Sequence, residues 1–156
     1  MKLSFIIPAW NEETLLGLTI KSIQQSADDF EFEIIVADDA SDDRTPEIAK
    51  ELGAIVVPCN NRQIGLTRND GAVVATGDLL IFVDADTIIS EAVVRETVEA
   101  IENGAVAGGS FPEFDGKIPF LAIVLTPILK IMFRVLHLAA GAYMFCIPES
   151  FGNAGG

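Results

Sequence analysis

Short, uninterrupted runs of hydrophobic residues alternate along this chain with longer stretches in which hydrophobic positions recur every three or four residues. The runs are typical of strands buried on both faces, and the longer stretches are typical of amphipathic helices. The runs predict strands at residues 3–7, 32–37, 54–57, 79–83, 105–110 and 142–147. Because these strands alternate with helices, the pattern predicts an α/β protein, a three-layer α/β/α fold around a mostly parallel central sheet.

Several helix ends are also readable. Asn11, Thr45 and Ser90 each precede a helical pattern and are expected to cap it, since their side chains can accept a hydrogen bond from a free N–H group of the first turn. Gly53 is expected to end the second helix. Later helices are predicted at residues 66–75 and 91–102.

The pattern changes after Ser110. Residues 111–117 read as a loop, and residues 118–138 as a very hydrophobic helix that carries Lys130 and Arg134 four positions apart. Such a helix would suit a peripheral membrane contact, a homodimer face or ordinary core packing, and these alternatives stay open. The longest uncharged run is about a dozen residues, which is short of the ~20 that a membrane-spanning helix needs.

Composition narrows the function classes. The net charge is -13, which argues against nucleic acid as a partner because a polyanion needs a basic surface. The chain has two cysteines, Cys59 and Cys146, too few for a zinc site or a disulfide framework. Both are interpreted as buried thiols of a reducing compartment. We expect a cytoplasmic protein, free or held at the inner face of the membrane.

Acidic side chains follow two of the predicted strands. Asp38 and Asp39 follow one, and Asp84 and Asp86 follow another. The carboxyl ends of parallel strands share one sheet edge, where α/β proteins bind ligands. If the chain stays extended, Asp84 and Asp86 point to the same side and could hold Mg²⁺ or Mn²⁺ with substrate phosphates. The alternative is a pair of solvated acidic turns.

Three further residues have open interpretations. Arg68, in the helix before the second acidic strand, could pair with Asp38, Asp39 or a diphosphate, or form a surface salt bridge. Trp10 could line a sugar or base pocket or pack in the core. His137 is interpreted as a partly buried or surface residue and not as a ligand.

Four sequence elements occur in the order seen in a known family. They are Pro8-Ala9-Trp10-Asn11-Glu12, Asp38-Asp39-Ala40-Ser41-Asp42-Asp43-Arg44-Thr45, Gly65-Leu66-Thr67-Arg68-Asn69-Asp70-Gly71, and the segment from Gly77-Asp78 to Asp84-Ala85-Asp86. The chain therefore resembles the family 2 glycosyltransferases, which have the GT-A fold of nucleotide-diphosphosugar transferases.

The resemblance implies roles for these residues. It implies a donor-binding core at residues 1–110 and the beginning of an acceptor-side region at residues 111–156. Asp39 would bind the base, usually uracil, Asp86 would bind Mn²⁺ or Mg²⁺ directly, and Asp84 would lie near the ribose or the metal. The remaining donor-binding positions would be Pro8, Ala9, Asn11, Glu12, Asp38, Arg68 and Ala85.

The resemblance also implies what is missing. Family members continue past the region of Gly156 to an acidic residue that acts as general base for the acceptor hydroxyl, so the base of an inverting transfer is expected beyond Gly156. The acceptor would be a lipid-linked molecule or a polysaccharide. Two alternatives stay open: a binding module that does not catalyse transfer, and a sugar nucleotidyltransferase. The second is disfavoured because residues 8–17 contain no Arg or Lys.

Overall fold

A computed structural model describes residues 1–110 and 141–155 of the chain. This part contains a six-stranded sheet in the order β3-β2-β1-β4-β6-β5. The strands are β1 (Lys2–Ala9), β2 (Glu31–Asp38), β3 (Ile55–Pro58), β4 (Leu79–Val83), β5 (Ala107–Gly109) and β6 (Tyr143–Cys146). The helices are α1 (Leu16–Ser26), α2 (Thr45–Glu51), α3 (Ile64–Val73), α4 (Glu91–Glu102) and α5 (Pro148–Asn153).

The sheet is mostly parallel, as the sequence predicts. β1 pairs in parallel with both β2 and β4, and β2 pairs in parallel with β3. Among the described strands only β6 is reversed: it is antiparallel to both of its neighbours, β4 and β5, so β5 runs in the same direction as β4. The carboxyl ends of β1, β2 and β4 consequently meet at one edge of the sheet.

Helices cover both faces of this sheet, so the predicted three-layer class is confirmed. Along β4 the side chains alternate: Leu79, Ile81 and Val83 pack in the larger core with α1 and α4, and Leu80 and Phe82 pack in a smaller core on the other face. All five are buried. A strand with two buried faces requires a continuous hydrophobic run, which explains the pattern in the sequence.

The predicted caps are only partly right. Ser90 caps α4 by accepting a hydrogen bond from Val93 N, as expected. Asn11 does not cap α1: it has a positive φ of 56°, and α1 begins only at Leu16, after a turn. Thr45 is the first residue of α2 and not its cap. In both cases, contacts between the two loops outweigh capping.

Other element boundaries also differ from the predictions. β5 and β6 are shorter than expected, and α3 begins at Ile64, earlier than predicted. The sequence pattern does not predict α5, because the glycines in and after it are typical of a turn. Cys59 and Cys146 are half-buried rather than buried. Burial raises the pKa of the Cys59 thiol to about 12, so it stays protonated at neutral pH.

At the amino edge of the sheet, Glu33 joins three segments of chain. Its carboxylate accepts hydrogen bonds from Ser4 Oγ and Thr76 N, both at 2.6 Å, and pairs with Lys2 Nζ at 2.9 Å. Burial works to raise the pKa of Glu33, but these hydrogen bonds outweigh it and lower the pKa to about 2. Glu33 therefore stays charged and ties β1, β2 and the segment before β4 together.

The predicted helix at residues 118–138, with Lys130, Arg134 and His137, lies outside the described residues. Within residues 1–110 and 141–155, no helix is long and apolar enough to cross a membrane.

Candidate functional site at the carboxyl edge of the sheet

The two acidic clusters predicted from the sequence lie at the same edge of the sheet. Ala9 is paired in register with Asp38 at the ends of β1 and β2, and Asp39 N donates a hydrogen bond to Ala9 O at 2.8 Å. Asp84 directly follows β4, which is the neighbour of β1 on its other side. The end of β1 therefore separates the two clusters.

Asp39 is buried and held by main-chain donors. Its Oδ1 accepts hydrogen bonds from Asn61 N at 2.6 Å and from Arg62 N at 3.2 Å. Burial alone would raise the pKa of Asp39, but the hydrogen bonds from Arg62 and Asn61 outweigh it and lower the pKa. Asp39 is thus a fixed negative charge in a buried position, a state that needs this number of donors.

Asp38 is equally buried, at 7% exposure, but is less satisfied. Its Oδ1 has no hydrogen-bond partner among the described residues. Because an unpaired buried oxygen is costly, such an atom is characteristic of a site that receives a ligand or a water.

Arg68 pairs with Asp84 and not with Asp38 or Asp39, the two partners that the sequence suggests. Both side chains are partly buried. The reason is position: Arg68 lies on α3, and Asp84 is the first residue beyond β4. Arg68 Nε is buried and has no partner within the described part of the chain. The pair compensates the charge of Asp84.

Asp86 has different surroundings. Residues 84–87 form a turn closed by a hydrogen bond from Thr87 N to Asp84 O at 3.0 Å, so the extended geometry assumed from the sequence is wrong. Ala85 is buried in the core, and its carbonyl accepts a hydrogen bond from Thr19 Oγ1 on α1. Asp86 is exposed. The turn presents this carboxylate at the surface.

Glu12 lies close enough to Asp86 for the two charges to interact. Burial raises the pKa of Glu12, and the charges of Asp86 and Asp43 raise it further. Glu12 is fixed in place because its N–H donates to Thr45 Oγ1 at 2.8 Å. The arrangement accumulates negative charge at this edge.

The loop after β1 is docked on the loop after β2 by reciprocal hydrogen bonds. Asn11 N donates to Ser41 Oγ, and Asp42 N donates to Asn11 Oδ1, both at 2.9 Å. Asp43 accepts from Glu13 N at 3.0 Å. Asn11 therefore holds the two loops together, and the carboxylate of Asp43 adds a contact from the second loop to the main chain of the first.

A cleft of about 450 Å³ opens beside Asp39. It is lined by Pro8, Ala9, Trp10, Glu12, Asp39, Arg62, Gln63, Ile64 and Thr67. Trp10 is 54% exposed, so its alternative interpretation as a core residue is wrong. Four of these lining residues are not among the site residues predicted from the sequence, although Thr67 lies in the third family element: Arg62, Gln63, Ile64 and Thr67. The signal that could have found them is a polar loop directly before α3.

A divalent cation would find carboxylate donors here, although the described residues do not form a complete protein cage. Within the described residues, no group of three or more His, Cys, Asp or Glu side chains could hold a metal ion. Mg²⁺, however, is commonly bound by one or two carboxylates together with substrate phosphates. The exposed carboxylate of Asp86, next to the charge of Glu12, fits this second mode.

The fold and the site define a class: a GT-A type α/β protein whose parallel sheet carries an acidic cleft at its carboxyl edge. The family model described as Glycosyl transferase family 2 matches residues 4–150. The chain belongs to glycosyl transferase family 2.

Relatives and solved structures agree with this assignment. The chain is 36% identical over 124 residues to the dolichol-phosphate mannosyltransferase of Pyrococcus furiosus, covering 76% of this chain and 35% of that protein. The structure of S. aureus TarS 1-349 in complex with UDP-GlcNAc is 27% identical, with a TM-score of 0.64 over 76% of this chain and 37% of that one.

A third similar protein is the glucosyl-3-phosphoglycerate synthase from Mycobacterium tuberculosis, in a complex with Mn²⁺, UDP and phosphoglyceric acid. It is 25% identical, with a TM-score of 0.68, covering 95% of this chain and 56% of that one. In all three comparisons the chain spans less than two thirds of the similar protein.

Proposed function

We propose that this chain is the donor-binding part of a glycosyltransferase that takes its sugar from a nucleotide diphosphate, most simply a UDP-sugar. The observation that carries the proposal is the cleft of about 450 Å³ that Asp39 and Glu12 line, with Asp86 close enough to Glu12 for their charges to interact. Family membership supports the reaction class, and the UDP-GlcNAc bound to TarS supports the choice of nucleotide.

Asp39 is the residue proposed to recognise the base. A charged carboxylate accepts a hydrogen bond from a base N–H group, and the lowered pKa of Asp39 keeps it charged. Pro8 and Ala9 would form the wall of the base pocket. The Oδ1 of Asp38, which has no partner among the described residues, would accept a hydrogen bond from a hydroxyl or a water at the same edge. Asn11 would act through the loop that it holds.

Asp86 is the residue proposed to bind Mn²⁺ or Mg²⁺ directly. Asp84 already has Arg68 as its partner, so a role near the ribose or the metal's waters suits it better than direct binding. Ala85 would keep the turn between them seated in the core. When bound, the cation supplies positive charge that stabilises the departing nucleoside diphosphate. The Mn²⁺ and UDP bound to glucosyl-3-phosphoglycerate synthase support this part of the proposal.

The same proposal assigns donor binding and acceptor binding to different parts of the chain. Residues 1–110 would bind the donor, and residues 111–156 would begin the acceptor side. Transfer with inversion needs a base within hydrogen-bond reach of the acceptor hydroxyl, and we assign the described residues to donor binding and not to that step. The acceptor in this proposal is a lipid-linked molecule or a polysaccharide of the cell envelope. The similarity to a dolichol-phosphate mannosyltransferase supports the first choice, and the similarity to the poly(ribitol-phosphate) beta-glucosyltransferase of Bacillus spizizenii supports a polymer.

Calorimetric titration of the chain with UDP tests the proposal. We expect binding in the presence of Mn²⁺ that weakens roughly tenfold or more in EDTA and in Asp86→Asn, which removes the open carboxylate. Asp28→Asn is the control, since it removes the same charge from an exposed position on another part of the surface. Binding that is indifferent to both EDTA and Asp86→Asn would overturn the metal-bridged donor site.

A further inference from the structure

Arg62 makes two contacts of different kinds at the cleft. Its main-chain N–H donates a hydrogen bond to Asp39 Oδ1 at 3.2 Å. Its guanidinium carbon lies 5.2 Å from the centroid of the Trp10 ring. One residue thereby touches both the buried acid and the exposed aromatic ring that line the cleft.

The main chain of Arg62 is held in an unusual conformation. Its φ is 54°, in the left-handed region that residues with a side chain seldom adopt. Neighbouring contacts hold it there: Cys59 N donates to Asp38 O and Asn61 Nδ2 donates to Asp70 Oδ2, both at 2.7 Å. Strain of this kind persists where surrounding contacts over-determine the backbone, and it is frequent at binding sites.

The side chain of Arg62 gives the ring of Trp10 a contact outside the core. Trp10 is 54% exposed, so core packing cannot fix its ring. A guanidinium over the face of an indole is attracted by the negative face of the ring. Aromatic rings and guanidinium planes are also the surfaces on which nucleobases stack, because every base has a flat π-face. The pair is therefore suited to a planar heterocycle.

We propose that Arg62 is a positioning residue that sets the preference of this cleft for a planar nucleobase. Its main chain fixes Asp39, which reads the base edge, and its guanidinium fixes Trp10, which packs against the base face. This inference rests on the proposed function, because it assumes that the cleft binds a nucleotide. It adds to the proposed function a residue that acts by positioning Asp39 and Trp10.

Arg62→Gly separates the two contacts. Glycine adopts a positive φ without strain and keeps the N–H that Asp39 needs, so this variant removes only the side chain. Arg62→Lys keeps the charge and loses the planar group. Arg95→Ala is the control: it removes an equal charge from an exposed arginine that pairs with Asp29 and Glu91 on another part of the molecule.

Two probes, uridine and UDP with Mn²⁺, distinguish a contact to the base from a contact to phosphate. We expect Arg62→Gly to weaken the binding of both probes by roughly the same factor, about five- to tenfold. Arg62→Lys should recover part of this affinity, and Arg95→Ala should bind both probes like the wild type. The chain has a single tryptophan, so its fluorescence reports Trp10 alone. In the ligand-free Arg62→Gly protein the anisotropy of that fluorescence should decay faster than in the wild type.

Other outcomes overturn the inference in separable ways. A loss confined to UDP would make Arg62 a phosphate contact, and unchanged binding with unchanged anisotropy would remove any positioning role. Wild-type protein that binds neither probe would overturn the proposed function itself. The anisotropy comparison needs no ligand, so it tests the hold of Arg62 on Trp10 even in that case.

Discussion

Arg68 on α3 pairs with Asp84, the residue that directly follows β4. The pair links a helix on one face of the sheet to the carboxyl end of the strand beside β1. It also makes the two acids of the Asp84-Ala85-Asp86 turn unequal, because Asp84 pairs with the guanidinium of Arg68 whereas Asp86 is exposed to solvent.

The pair is expected to stabilise the fold as well as the site. Arg68→Ala leaves the half-buried Asp84 without its partner and should lower the free energy of unfolding by about 1–3 kcal/mol. Urea denaturation measures the loss. The double variant Arg68→Ala with Asp84→Ala should lose less than the sum of the single variants, since it leaves no orphaned charge. Strict additivity would contradict a direct interaction.

Two glycines of α3 offer a matched test of how the helix packs on the sheet. A Cβ on Gly71 would lie 2.6 Å from Ile6 Cγ2 and 3.3 Å from Ala37 Cβ, whereas a Cβ on Gly65 would meet nothing within 4 Å. Gly71→Ala should therefore destabilise the protein by about 1–3 kcal/mol through overpacking. Gly65→Ala should be neutral or stabilise by up to about 1 kcal/mol. Thermal and urea unfolding measure both variants. A Gly71→Ala protein as stable as Gly65→Ala would contradict the close packing of α3 on the sheet.

Glu33 predicts a pH dependence of stability. Its pKa is lowered from 4.5 to about 2, so its contribution is complete above the unfolded-state pKa and is lost as the pH falls towards 2. Glu33→Gln should cost about 1–2 kcal/mol at pH 7, because it loses charge-assisted hydrogen bonds. The difference from wild type should shrink between pH 5 and pH 2.

Glu31→Gln is the control for this experiment, since Glu31 is an exposed acid on the same strand. Its urea midpoint should follow that of the wild type at every pH. A constant difference between Glu33→Gln and wild type across the range would contradict the assignment of the pH dependence to Glu33.

Glu12 predicts a pH dependence of stability that is opposite in sign to that of Glu33. Its pKa is raised by burial and by the charges of Asp86 and Asp43, so its ionised form costs stability above the folded-state pKa. Glu12→Gln should stabilise the metal-free protein at pH 7, on the order of 0.5 kcal/mol, and the gain should vanish at lower pH. The same variant should gain less thermal stability than wild type on addition of Mn²⁺ and UDP. A variant that is less stable without metal would refute the proposed repulsion.

The sequence predicts the fold class well, because the strands are encoded locally. A run such as residues 79–83 has two buried faces and can be read without knowledge of its neighbours. Helix starts that depend on a local cap, such as Ser90 with Val93, are also predictable. The start of α1 is not, because Asn11 makes its hydrogen bonds with a loop about thirty residues away in the chain.

The site divides in the same way. That Asp38, Asp39 and Asp84 meet at one edge follows from parallel strands alone. Two other features depend on the three-dimensional path of the chain. One is that Arg68 on α3 pairs with Asp84. The other is that Arg62, in the loop before α3, reaches Trp10, in the loop after β1. Neither loop has a periodic pattern, so only the structure brings these residues together.

The main-chain donors to Asp39 have a consequence for redesign. The N–H of residue 62 is available whatever side chain the residue carries, provided that its left-handed backbone is kept. The side chain at position 62 can therefore be varied without loss of the main-chain hydrogen bond that holds the carboxylate of Asp39. A library restricted to Gly, Asn, Asp, Arg and Lys at position 62, the first three being tolerant of positive φ, would vary ligand choice while the anchoring carboxylate stays in place.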